Sequence, residues 1–123
     1  HGGPARLAAI VDWEMGTVGD PLLDLAWVVM GWPDEGEVRT GGYVDYTGMP
    51  NRNDLLEHYS TVSGRDVDDI DYYVVLARFK LAIVLEGGYA RYVNGGADNP
   101  RMEAFGGVVL DLAARAAEMV RTI

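Results

Sequence analysis

Ile10-Val11-Asp12-Trp13-Glu14-Met15-Gly16-Thr17-Val18-Gly19-Asp20-Pro21-Leu22-Leu23-Asp24-Leu25 holds more information than any other stretch of this chain. Arg6 to Val11 reads as a short, mostly apolar strand after the turn formers Gly2-Gly3-Pro4. The strand ends in an acidic pair, Asp12 and Glu14. A Gly-Asp-Pro turn follows, and then a helix begins. Asp20 is placed as its N-cap and Pro21 at the first helical position, where the missing N–H costs nothing. Leu22, Leu25, Ala26, Val29 and Met30 recur at intervals of three and four, so one face of this helix should be buried to about Met30.

Working outward, Gly31 to Pro50 reads as a loop, with five glycines and two prolines. Asn51 or Asn53 opens a second helix that carries Leu55, Leu56, Tyr59 and Val62 and stops at Gly64. A long helix is predicted from about Ile70 to Val93, ended by Asn94-Gly95-Gly96. A last helix is predicted from about Pro100 to Arg121. The fold class is therefore mainly α, with a short β-strand or hairpin at the N-terminus. A lone strand with open edges is not a stable sheet, so the chain reads as part of something larger.

The bulk properties narrow the function. The chain has 123 residues, 49% of them hydrophobic, enough for one domain with a core. A net charge of −9 argues against nucleic acid and against an anionic membrane surface. With no cysteine and only His1 and His58, thiolate sites are excluded and zinc is disfavoured. The most apolar stretch, Tyr72 to Leu85, contains Arg78 and Lys80 and is shorter than the roughly 20 residues of a membrane span. A cytoplasmic location is the default expectation.

Two accounts of Asp12 stand side by side. A carboxylate at the end of a strand can hold magnesium, which takes one or two carboxylates together with phosphate oxygens, and this suggests phosphoryl transfer. The same residue can be a turn Asp that caps the backbone. If the backbone stays extended, Glu14 projects to the same side as Asp12. Asp20 is most simply a cap. Asp24, between Leu23 and Leu25, needs a partner if buried and is unremarkable if exposed. The acids at 66 to 71 fail the EF-hand pattern, because Ile70 and Asp71 fall at its fifth and sixth positions; charge at a helix N-terminus explains them better. Gly87-Gly88 inside the long helix marks either a kink beside a pocket near Tyr89 and Tyr92 or close helix packing. Trp13, Trp27 and Trp32 could line a pocket for an organic cation or belong to the core, and Trp27 is assigned to the core.

Ile10-Val11-Asp12-Trp13-Glu14, the Gly-Asp-Pro turn and Asp24-Leu25-Ala26-Trp27 together resemble the aminoglycoside phosphotransferase and choline kinase-like family, which shares the protein-kinase fold. The branch also found fused to acyl-CoA dehydrogenases is the most similar, and the stretch from Lys80 to Gly88 fits it less distinctively. The resemblance implies that residues 1–123 form the helical C-terminal, substrate-side lobe of a two-lobed kinase. Asp12 then corresponds to the magnesium-binding Asp of the kinase Asp-Phe-Gly element. Glu14 corresponds to an acid that also contacts metal in relatives. Asp20 and Asp24 are implied as structural support, Asp24 steadying the catalytic loop from below. ATP and Mg²⁺ are implied as cofactors and a small hydroxylated molecule as substrate.

The family's catalytic loop reads His-Gly-Asp-x-x-x-x-Asn. Here His1-Gly2 is followed by Gly3, and Ala8 stands where the Asn would be. Neither working residue is present, so no catalytic residue is assigned, and the catalytic loop and nucleotide-binding lobe are expected upstream. Residues 1–123 alone are expected to be inactive. The alternative is a helical binding or oligomerisation module without chemistry, in which an exposed apolar lobe interface drives homodimer formation.

Overall fold

A computed structural model describes residues 6–12, 16–33 and 44–123. Four α-helices follow in order: α1 (Pro21–Val29), α2 (Arg52–Ser63), α3 (Ile70–Val93) and α4 (Phe105–Met119), with a 3₁₀ turn at Pro100–Met102 before α4. α3 is the axis of the molecule. α1 packs on its N-terminal half and α4 along its length. The core comprises Leu25, Ala26 and Val29 of α1, Leu56 of α2, and Ile70, Val74 and Ala77 of α3. Trp27 packs against this cluster, as assigned from the sequence.

The helix ends follow their local chemistry. The Asp20 carboxylate accepts from the Leu22 amide at 2.9 Å, with Pro21 at the first position of α1. Asn51, not Asn53, caps α2. Its side chain accepts from the Asp54 amide, and the Asp54 carboxylate accepts from the Asn51 amide, which satisfies two orphan donors reciprocally. α2 ends at Gly64 with φ of 69°, a left-handed conformation that glycine adopts without penalty. α3 ends at Asn94, and the Gly96 amide reaches back to the Arg91 carbonyl at 2.8 Å.

Two sequence expectations are corrected. Arg6 to Val11 forms no strand, and among the described residues there is no strand at all. Leu7 and Val11 are 82% and 76% exposed. The apolar pattern is there, but a strand needs a second strand to satisfy its backbone groups, and among the described residues none is formed. The last helix is also not continuous from Pro100. Asn99 caps only the 3₁₀ turn, residues 103 and 104 form a turn, and α4 starts at Phe105.

The α3–α4 contact accounts for that break and for one of the paired glycines. A Cβ on Gly88 would lie 3.1 Å from the Phe105 ring, and one on Gly106 would lie 3.0 Å from the Tyr89 ring. Each helix offers the other a glycine on which an aromatic ring rests. Restarting the helix at Phe105 delivers that ring. Gly88 therefore marks close packing, and Phe105 fills the space considered for a pocket there. Gly87 faces open space.

Candidate functional site

Asp12 stands exposed at the end of the apolar run, with φ of 70°. Among the described residues it is the one non-glycine with positive φ. Asp tolerates this left-handed region better than most residues, but the conformation still turns the chain sharply. The period-two argument that placed Asp12 and Glu14 on one side required extended backbone, and it does not hold through Asp12. Glu14 and Trp13 lie outside the described residues, as do His1 to Pro4.

Asp20 and Asp24 follow on α1. Asp20 joins two helices: one carboxylate oxygen caps α1, and the other accepts from the Tyr73 hydroxyl of α3 at 2.9 Å. The Leu22 amide, then the Tyr73 hydroxyl, and to a smaller degree the Arg65 charge hold the Asp20 carboxyl below its ordinary range against a small opposing effect of burial. The same bond raises the Tyr73 phenol above its ordinary value. Asp20 is thus a cap, as expected, and also a tie to α3 that the sequence did not reveal. Asp24 is exposed in the first turn of α1, where negative charge suits the helix dipole.

Among the described residues no group of three or more His, Asp or Glu side chains is placed to hold a metal ion. A protein-only cage is therefore not formed by these residues. Asp12 offers the hard, exposed carboxylate oxygens that suit magnesium bound partly through phosphate oxygens. The donor chemistry of Asp12 fits such an ion.

A cleft of about 400 Å³ opens at the opposite end of α1 from Asp20. Val29, Val74 and Met119 give it apolar walls, and Arg52, Asp71 and Glu118 give it polar ones. Arg52 donates to Asp71 at 2.7 Å, joining α2 to α3. Trp32, also on the cleft, donates its indole N–H to the Pro50 carbonyl at 2.9 Å and meets the Tyr46 ring edge-on at 5.2 Å. The Tyr46 hydroxyl in turn donates to the Gly31 carbonyl at 3.2 Å. The two described ends of the Gly31–Pro50 loop are therefore fastened together at the cleft; residues 34–43 lie outside the described residues. Sequence reasoning missed Arg52 and Asp71, since no local pattern relates residues 19 positions apart.

Residues 1–57 match the phosphotransferase enzyme family. Over its whole length the chain is 30% identical to acyl-CoA dehydrogenase family member 11 of Gallus gallus, of which it covers 17%. It is 30% identical, over 92% of its length, to the protein of the same name from Homo sapiens and covers 15% of it. A probable acyl-CoA dehydrogenase of Arabidopsis thaliana is 28% identical over 79% of the chain, which covers 13% of that protein. The chain thus spans less than a fifth of the length of these relatives. No solved structure matches it. The chain is thus similar to the phosphotransferase enzyme family over residues 1–57 and to acyl-CoA dehydrogenase family member 11 over its whole length.

Proposed function

We propose, from the match of residues 1–57 to the phosphotransferase enzyme family, that this chain is the C-terminal lobe of an ATP- and Mg²⁺-dependent kinase acting on a hydroxyl of a small molecule. The observation that carries the proposal is Asp12. It is an exposed carboxylate held in a left-handed turn, within the segment that matches the family. A non-glycine residue kept in a sparsely populated conformation is a mark of functional sites. The name of the relatives, acyl-CoA dehydrogenase, describes those much longer proteins. In a shared polypeptide the kinase chemistry would belong to the segment that this chain resembles.

In this proposal Asp12, with Glu14, would hold the ion, and Mg²⁺ would supply neutralisation of the phosphate charge. The chain's own residues do the rest by position. Asp20 locks the start of α1 to α3 through Tyr73, so the segment leading from Asp12 enters a fixed helix. Asp24, exposed one turn later, would receive hydrogen bonds from the catalytic loop. Residues 1–123 on their own would not turn over, because phosphoryl transfer is positioning and charge stabilisation by all the parts together.

The test uses the full polypeptide encoded by the gene. Asp12→Ala should abolish ATP-dependent phosphorylation of a hydroxylated substrate, a loss on the order of a thousandfold for one removed electrostatic group, with unchanged circular dichroism. Full activity of the Asp12→Ala protein would refute the proposal and favour the binding-module alternative.

A further inference from the structure

The cleft at the C-terminal end of α1 gathers arginine in an acidic molecule. Across the chain, acids outnumber Lys and Arg by 19 to 10. On the cleft the ratio is reversed, with Arg52, Arg78 and Arg115 against Asp71 and Glu118. Three different helices supply the arginines. Arg52 opens α2, Arg78 lies on α3 and Arg115 on α4.

The cleft is apolar below and cationic around. Val29 and Val74 are each 2% exposed and belong to the core, so the floor is dry and apolar. Met30, Met119 and Trp32 extend that surface. Arg52 is held inward, its side chain 22% exposed, with Nη2 donating to Asp71 Oδ1 at 2.7 Å. Arg115 is more open, at 54%, and its Nε donates to Asp111 Oδ2 at 2.8 Å. A guanidinium carries five N–H donors, and each of these bonds takes one and orients the fork. A tie between helices accounts for Arg52. It does not account for Arg115, whose ion pair with Asp111 stays within α4 and joins nothing to it.

The chemistry says what fits. A guanidinium fork matches the paired oxygens of a carboxylate or phosphate. Methionine and tryptophan side chains suit an aromatic or other compact apolar group. A volume of about 400 Å³ lies at the small end of ligand pockets.

We propose that this cleft binds a small organic anion. Its carboxylate or phosphate head is held by Arg52, Arg78 and Arg115, and its compact apolar body rests on Val29, Val74 and Met119. The inference concerns the cleft alone and does not rest on the phosphotransferase reading. Binding in a protein without kinase activity would leave it standing and remove the other.

Phenylacetate and phenyl phosphate supply the test, titrated into the full polypeptide encoded by the gene, with benzylamine and inorganic phosphate for comparison. Hydrogen–deuterium exchange read by peptide mass spectrometry follows the C-terminal ends of α1 and α4, where bound ligand should slow opening. At least one aryl anion should protect both ends, and benzylamine should protect neither. Protection by phenylacetate alone makes the ligand a carboxylate; protection by phenyl phosphate alone makes it a phosphate ester. Arg115→Gln should raise the concentration for half-protection roughly tenfold, the loss of one charge-assisted contact. Arg52→Gln should do likewise, and Arg115→Gln carries the test if loss of the Asp71 tie unfolds the protein. Arg91→Gln removes the same charge from the last turn of α3, away from the cleft, and should change nothing. No protection at about 10 mM, where a ligand of millimolar affinity is bound, would overturn the proposal. So would equal protection by benzylamine, or equal weakening by Arg91→Gln. Inorganic phosphate protecting as well as phenyl phosphate would overturn it too, since the apolar floor would then have no part.

Discussion

Alanine at position 87 and alanine at position 88 should move stability in opposite directions. In an α-helix, Gly→Ala gains about 1 kcal/mol from backbone entropy. Gly87 is exposed and nothing lies within 4 Å of its added Cβ, so Gly87→Ala should stabilise by about that amount. Gly88 is buried, and its Cβ would meet Phe105 ring carbons at 3.1 and 3.2 Å. Overpacking of this kind costs about 1–3 kcal/mol, so Gly88→Ala should be neutral or destabilising by up to about 2 kcal/mol after the helix gain. The two variants should therefore differ by about 1–3 kcal/mol, a separation of roughly 4–12 °C in melting temperature for a chain of this size. Thermal unfolding by circular dichroism of residues 1–123 measures it. Phe105→Ala in the Gly88→Ala background should remove the penalty specific to Gly88→Ala, which is the signature of direct coupling. If Gly88→Ala stabilised as much as Gly87→Ala, Phe105 would not rest on Gly88, and a pocket beside Tyr89 would again be the better account of the glycine pair.

Further outcomes follow from the ties between helices. Because the folded state lowers the Asp20 carboxyl, its contribution to stability is complete above the ordinary carboxylate range and is lost as pH falls through its depressed folded value. Asp20→Ala should flatten that acid limb in denaturant titrations across pH, whereas a wild-type acid limb in the variant would show the tie to be idle. The raised Tyr73 phenol works in the other direction. Its contribution is complete below the ordinary phenol range and is lost as pH rises through the raised folded value, so Tyr73→Phe should weaken the alkaline limb. Arg52→Ala removes the 2.7 Å ion pair to Asp71, whose partners are 22% and 46% exposed. The expected loss is about 1 kcal/mol or less, shrinking in high salt; a salt-independent loss would mean that Arg52 acts by packing its stem rather than by charge.

What the sequence made legible lies within a few residues of itself. Asp20 before Pro21, Asn51 with Asp54, and Gly64 after Ser63 are signals carried by neighbours, and the helices begin and end there. What it hid spans distance. Tyr73 reaches Asp20 across 53 positions, and Arg52 reaches Asp71 across 19. No periodicity encodes such pairings, because they depend on how α1, α2 and α3 come to rest on one another. The break before α4 belongs to the same class. It follows from seating Phe105 on Gly88, a contact between two helices and not a property of Pro100 to Ala104.

The candidate site divides along the same line. A carboxylate ending an apolar run is a local pattern that the sequence displays at Asp12, whereas the left-handed turn there is not. The strand expected over Arg6 to Val11 and the outer face of α3 then have a common explanation. In each, the local pattern is right and the surface is open: Leu7 and Val11 on one, Phe79 and Ile83 on the other. Apolar residues at strand or helix spacing gain free energy only when a second element removes them from water, so a pattern can be present without its structure being formed.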